Sequence, residues 1–285
     1  MDSNILRNYH WGEAEGLEVY ALGTLEAYDA FLLKVGPCVV IYYSEQCPSE
    51  TEIVQLLPFT PDRLFFKKRF KQCSLQQYQQ QKEHSFGFWV REYDLRFWVD
   101  PGMYHDIGLF IDQRLARQWL RNIAHDKKVL NLFAYTGSLS VVCGKAGACS
   151  VTSIDLSETY LSWAQKNWAA NNLEQVRGKW LRRDVLEWIR SLPSERFDII
   201  IVDPPSFSQS KKMRQVWNVQ KDHEWFLQQC YKILQPNGII YFSTHAKDFQ
   251  FSEAFSREGR WREVSQEMRP FDFPASDLRA FIYRG

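Results

Sequence analysis

Apolar residues in the second half of the chain cluster in short runs, most of them closed by a turn signal and followed by helical spacing. Val129 to Phe133 lies between Lys127-Lys128 and Thr136-Gly137, as expected of a parallel strand covered on both faces. Ser138 to Ala146 suits a helix. A second run, Cys149 to Ile154, ends in Asp155. Ser157 reads as the cap of a helix through Asn171, with Leu161, Ala164 and Trp168 at helical spacing. Lys179 to Arg182 reads as a third strand, and a helix starts at Asp184-Val185. Phe197 to Val202 reads as a fourth strand. A helix over 222–234, an Asn237-Gly238 turn and a strand Gly238 to Ser243 follow, with a terminal strand pair around Trp261 to Gln266 and Leu278 to Tyr283. Strands alternating with helices predict an open, Rossmann-like α/β sheet.

The first hundred residues carry a different pattern. Ala30 to Val35, Cys38 to Tyr43 and Phe86 to Val90 are short β-branched and aromatic runs separated by Gly36-Pro37, Ser44-Glu45 and Asp94-Leu95, which favours a small antiparallel sheet. Glu50 to Gln55 reads as a helix between them. The expected organisation is a small α+β domain over residues 1–100 and a larger α/β domain over 101–285. Pro101-Gly102 marks a turn at the junction, and Gln113 to Ala124 continues as a helix with Leu115, Trp119, Leu120 and Ile123 on one side.

Composition narrows the class only a little. At 285 residues, with 45% apolar and 24% charged residues, the chain suits a globular protein with a substantial core. A net charge of +1 leaves any nucleic-acid contact to local patches. The start Met1-Asp2-Ser3-Asn4 lacks a basic segment leading into an apolar core, and no apolar run approaches the roughly 18 residues of a membrane span, so a cytoplasmic location is expected. The six cysteines show no Cys-x-x-Cys spacing; reduced structural thiols and no metal site are expected.

The candidate chemistry lies where strands end. In an open α/β sheet the strand-to-helix turn is where a nucleotide-like ligand sits. Gly137, lacking a Cβ, lets backbone approach such a ligand. Asp155 stands 18 positions beyond Gly137, near the separation of about 20 at which an acid reaches ribose hydroxyls in dinucleotide folds. Asp184 can accept from an adenine amino group or cap its helix, and both readings stay open. In Asp203-Pro204-Pro205 two prolines remove two backbone donors, leaving the carbonyls free to accept from a planar nitrogen group. Phe207 can stack on the same ring. Asp112 and Arg114 either reach the central cleft or form a pair at a helix N-terminus. His245, alone after a strand, reads as structural.

Asp62 to Gln72 places five cations and three phenylalanines in eleven residues. Lys67, Lys68, Arg69 and Lys71 can neutralise phosphates while exposed rings stack on unpaired bases. The alternative is a strand with its Phe side on the core and its cations in solvent.

These stretches carry a resemblance. The chain is similar to class I S-adenosylmethionine-dependent methyltransferases, and within them to the C-terminal half of the bifunctional bacterial 23S rRNA guanine methyltransferases, the half that makes 7-methylguanine. The matching residues run from Lys67-Lys68-Arg69 through Glu92-Tyr93, Gly108 to Arg114, Leu130 to Ser138, Asp155-Leu156-Ser157 and Asp203-Pro204-Pro205-Ser206-Phe207 to Ser210-Lys211. The resemblance implies a seven-stranded methyltransferase sheet. It implies S-adenosyl-L-methionine lying across Phe133, Tyr135, Thr136, Gly137 and Ser138, with Asp155 and Leu156 at the ribose, Asp184 near the adenine, and Asp203 with Pro204, Pro205 and Phe207 facing the methionine end and the target base. Substrate targeting is then expected from the N-terminal domain or from a partner methyltransferase chain.

A related branch uses a cysteine nucleophile after the fifth strand, where this chain has Tyr241-Phe242-Ser243-Thr244-His245. Covalent catalysis of that kind has no nucleophile here. The expected activity is therefore direct methyl transfer to guanine N7 of 23S rRNA. Other readings are transfer to another RNA nitrogen or a protein amide, and a non-catalytic module that keeps the cofactor pocket and docks RNA or a partner. One glycine in the turn, in place of Gly-x-Gly-x-x-Gly, argues against a nicotinamide dehydrogenase.

Overall fold

A computed structural model describes residues 2–69, 85–209, 216–273 and 277–285. The chain divides into two compact units, Met1–Ile111 with Pro270–Pro274, and Asp112–Arg269 with Ala275–Gly285. The division falls later than the boundary near residue 100 read from the sequence.

In the first unit, α1 (Ser3–Ala14) starts at Asp2, whose carboxylate accepts from the Asn4 amide at 2.7 Å. Strands β1 (Val19–Leu25), β2 (Ala30–Val35) and β3 (Cys38–Tyr43) pair antiparallel. Helix α2 (Glu50–Leu56), opened by a reciprocal Ser49/Glu52 capping box, returns the chain so that β4 (Arg63–Lys68) pairs parallel to β3. The purely antiparallel sheet expected from sequence is thus corrected. Phe86 to Val90 is no part of it, because β5 (Phe88–Glu92) pairs with β6 (Leu95–Val99) in a separate ribbon. Tyr20, Leu22, Leu32, Val39, Ile41 and Ile53 form the core. Residues 270–273 fold onto this unit: the buried Asp272 carboxylate accepts from Ala21 N at 2.8 Å, where the register of β1 shifts, and Phe273 meets Phe31.

The second unit holds a seven-stranded sheet. Its strands are β7 (Lys128–Leu132), β8 (Ser150–Asp155), β9 (Arg177–Arg182), β10 (Phe197–Val202), β13 (Leu234–Thr244), β14 (Trp261–Glu263) and β15 (Arg279–Arg284), in spatial order β14-β15-β13-β10-β7-β8-β9. The five from β13 to β9 are parallel, and β15 is antiparallel to β13. Helices α3 (Arg114–Ile123), α4 (Ser138–Lys145) and α5 (Glu158–Ala170) pack in sequence, as do α6 (Val185–Arg190) and α7 (Val219–Lys232). Leu130 and Leu132 of β7 enter the core shared with α6 and α7. Asn131, pointing the other way, bonds Ser140 of α4. Both faces of β7 are covered, which is why its run shows no alternation. Asn237, with φ of 60°, lies inside the long β13 rather than in a turn ahead of it; the pairing with β10 slips there.

The strand order runs both ways from β7, so the parallel strands leave a crevice between the C-terminal ends of β7 and β10, the place where open α/β sheets take ligands.

In the first unit, burial, with Lys67 and Arg69 adding to it, lowers the His105 pKa from 6.5 to about 4. The unfolded chain binds this proton near 6.5 and the folded one only near 4, so the contribution is present above pH 6.5 and is lost as pH falls toward 4. Thermal midpoints between pH 7 and 4 should therefore fall more steeply for the native chain than for His105→Phe; equal slopes would contradict the assignment.

Candidate active site

The turn after β7 is built from residues in the left-handed backbone region. Phe133, Tyr135 and Gly137 have φ of 59°, 50° and 75°. Such values are uncommon outside glycine, and the surroundings hold them. The Asp155 carboxylate accepts from Tyr135 N at 2.9 Å and from Ser157 N at 2.8 Å. Asn167 of α5 donates to the Thr136 carbonyl at 2.9 Å. Beneath the turn, Asn131, Ser140 and Ser153 share two contacts of 2.8 Å. Burial pushes the Asp155 carboxyl above the ordinary range, while the Ser157, Tyr135 and Leu156 amides pull it back.

Gly137 has a reason that the sequence reading missed. A Cβ there would stand 2.6 Å from Ala164 Cβ and 3.1 Å from Ala164 Cα, so the close approach demanding glycine is that of α5. Of the other turn residues, the Phe133 ring faces inward onto Trp217 and Phe226 at 5.6 and 5.7 Å. Tyr135 meets Tyr160 edge-on at 4.5 Å, Thr136 is buried, and Ser138 opens α4. Leu156 is half-buried beside Asp155. Asp184 caps α6, accepting from Leu186 N at 2.9 Å.

At the end of β10, Asp203 is half-buried, and Asp203 Oδ1 accepts from Ser243 Oγ at 2.7 Å. Burial raises its carboxyl; the charge of His245 and bonds from Ser243 and Gln113 lower it, and the Asp112 charge raises it. Asp112 and His245 form their own contact, Oδ2 to Nε2, at 2.6 Å. Pro204 is buried and Pro205 half-buried. The carbonyls of this turn were expected to be free, but the Pro205 oxygen already accepts from Trp217 Nε1 at 2.7 Å. Phe207 is half-buried on a short strand, β11 (Phe207–Ser208), paired with β12 (Trp217–Asn218).

The basic stretch resolves differently from either sequence reading. Strand β4 buries Phe65 and Lys67 on one face, and the Lys67 ammonium donates to the Tyr104 carbonyl and, at 3.0 Å, to that of His105. Lys67 is thereby committed inside the first unit and corrected as a phosphate contact. Lys68 and Arg69 are exposed, Arg69 lying 3.8 Å from Asp29. Lys71 lies outside the described residues. Arg114, 1% exposed, is buried at the start of α3 and is not displayed to solvent.

Asp203 at the end of β10 thus faces Asp112 and His245, while Asp155 closes β8 two strands away in the sheet. Gln113, Ser243, Tyr241 and Asn167 join them without having been singled out from sequence; Gln113 and Ser243 lie 130 positions apart, and no local pattern links them. Among the described residues no group of three His, Cys, Asp or Glu is arranged to hold a metal ion, and no helix is long and apolar enough to cross a membrane.

This geometry agrees with the comparisons. Residues 61–283 match the family model described as S-adenosylmethionine-dependent methyltransferase. The ribosomal RNA large subunit methyltransferase K of Neisseria meningitidis is 35% identical over 268 residues, covering 92% of this chain and 72% of that protein. Among solved structures, SMU.776 complexed with SAH matches with a TM-score of 0.76 at 22% identity, covering 100% of this chain and 83% of its own. An Agrobacterium tumefaciens SAM-dependent methyltransferase matches with a TM-score of 0.67 at 20% identity, covering 94% of this chain and 90% of its own. The chain belongs to the S-adenosylmethionine-dependent methyltransferases, with the Rossmann-like seven-stranded fold of that class and S-adenosylmethionine as its cofactor.

The residues present suit that cofactor. A carboxylate fixed by the Tyr135 and Ser157 amides retains lone pairs for vicinal hydroxyls, and half-buried Leu156 and Tyr135 offer apolar surface.

Gly137→Ala should lower stability by about 1–3 kcal/mol through the clash with α5. Adding Ala164→Gly should return part of it. Urea unfolding of the single and double variants checks this; additive losses would remove Ala164 as the cause.

Proposed function

We propose that this protein methylates ribosomal RNA, transferring the methyl group of S-adenosylmethionine directly to N7 of a guanine in 23S rRNA. The observation that carries the reading is the Asp203 carboxylate at the end of β10, donor-held and set beside the Asp112–His245 contact. The ribosomal RNA methyltransferase similar over 92% of the chain supports the substrate class.

S-adenosylmethionine supplies an electrophilic methyl group on a sulfonium. On this reading Asp155 accepts from the ribose hydroxyls, the backbone of Phe133 to Ser138 lines one wall, Leu156 lies beside the ribose, and Asp184 stands near the adenine while capping α6. Pro204, Pro205 and Phe207 shape the site for the flat target base. Guanine N7 offers its lone pair without losing a proton, so the chain needs to align base and methyl group more than it needs a strong base. Attack at an amino or imino nitrogen would require proton removal. The Asp203 carboxylate, held by Ser243, is placed to act as a counter-charge for the cation that grows on an N7-methylated ring. Tyr241 to His245 supplies no cysteine nucleophile. On this reading Lys68 and Arg69, both exposed, contact phosphate. The protein acts in the cytoplasm on RNA or a ribosomal assembly intermediate, with a partner methyltransferase chain as a further binding candidate.

Incubation with labelled S-adenosylmethionine and 23S rRNA lacking the modification should yield 7-methylguanosine on nucleoside chromatography; label in a different nucleoside would overturn the N7 assignment. Asp155→Ala should weaken cofactor binding by about 10–100-fold, the loss of a hydrogen bond to a charged group. Calorimetric titration measures it, and an unchanged affinity would remove Asp155 from the ribose.

A further inference from the structure

Three buried side chains form a one-way hydrogen-bond relay that ends on Asp203. Tyr241 Oη donates to Gln113 Oε1 at 2.9 Å, Gln113 Nε2 donates to Ser243 Oγ at 3.1 Å, and Ser243 Oγ donates to Asp203 Oδ1 at 2.7 Å. Tyr241 and Ser243 are fully buried and Gln113 is 1% exposed. Tyr241 and Ser243 stand two residues apart on β13, hence on one face of the sheet. Gln113 occupies the N-cap position of α3 yet makes no capping bond with its side chain. Its amide is turned to β13 instead.

The sense of the relay follows from donor and acceptor chemistry. An ionised carboxylate can only accept, so the Ser243 proton points to Asp203. Ser243 then accepts from the Gln113 amide nitrogen, and the Gln113 oxygen is left to accept from Tyr241. Were Asp203 protonated and donating to Ser243, the serine hydroxyl would receive from both sides and its own proton would lose its acceptor. Burial makes that loss costly. The relay therefore favours one ionisation state of Asp203 and one position for its carboxylate.

We propose that Gln113, Ser243 and Tyr241 are positioning residues that hold Asp203 ionised and oriented at the crevice, acting through the relay rather than on substrate. This rests on the proposed role of Asp203. Gln113 also bonds Asp203 itself; the charged groups facing Asp203 are His245 and Asp112, and Arg117 acts on Tyr241 at the far end, and none of these is altered in the variants below.

The test is a carbon-13 NMR titration of the Asp203 carboxyl in the full chain without cofactor, beside pH profiles of kcat for N7 transfer to 23S rRNA. Ser243→Ala should raise the Asp203 midpoint and the acid limb of kcat together by about one pH unit, the loss of one bond to a charged group. Rates above the new limb should return to within a few-fold of the native enzyme, and Ser243→Thr, which keeps the hydroxyl, should restore the original limb. Tyr241→Phe removes a single oxygen at the far end, keeps the packing and should move both midpoints the same way by less; it also serves should Ser243→Ala not fold. Unmoved midpoints in these variants, with Asp203→Asn inactive, would overturn the relay while leaving the Asp203 reading intact. Full N7 transfer by Asp203→Asn would overturn both.

Discussion

A carboxylate taken out of water must be supplied with donors, and the edge of the larger sheet is organised by that demand. Asp155 is supplied by the amides of Tyr135 and Ser157, Asp203 by Ser243, and Asp112 meets His245. Left without such partners, each would be costly to bury. The donors come from the turn after β7, the start of α5 and the end of β13, so satisfying three acids ties those ends into one rim. The left-handed backbone at Phe133 and Tyr135 is part of the same arrangement: it aims an amide at Asp155.

A rigid rim is what direct transfer between two bound molecules asks of a protein. When the acceptor atom already has its lone pair, rate comes from alignment and from fixed charge rather than from proton traffic. The crevice offers fixed acids, an apolar wall and a helix start, and on the proposed reading these do complementary work. The first unit has its own core, and the returning segment at 270–273 bonds to its first strand.

The parallel strands were legible because burial on both faces leaves a run such as Val129 to Phe133 apolar but for Asn131, whose side chain is taken up by Ser140. The caps at Ser157 and Asp184 were legible because a capping side chain sits beside the amides it serves. The first unit was less so. Helix α1 mixes polar and aromatic residues around its circumference, so Ser3 to Ala14 shows no clear stripe. The strand Val19 to Leu25 contains Gly23 and a register shift, which blurs its alternation. Lys67 misled because a lysine in a basic run is ordinarily solvated, whereas this one is committed to two backbone carbonyls. At the crevice, residues attached to a local motif could be named. Gln113, Tyr241 and Ser243 could not, since a relay closed across 128 and 130 positions leaves no periodicity or spacing to read.

On the proposed reading one adenosyl pocket lies between the turn at Gly137 and the end of β10. Its most direct measurement is amide chemical-shift mapping while S-adenosylhomocysteine is titrated into the protein. The largest changes should fall on Tyr135, Thr136, Gly137, Leu156 and Ser157, with Asp203 next. Saturable binding that left those amides still and moved a different surface would contradict it.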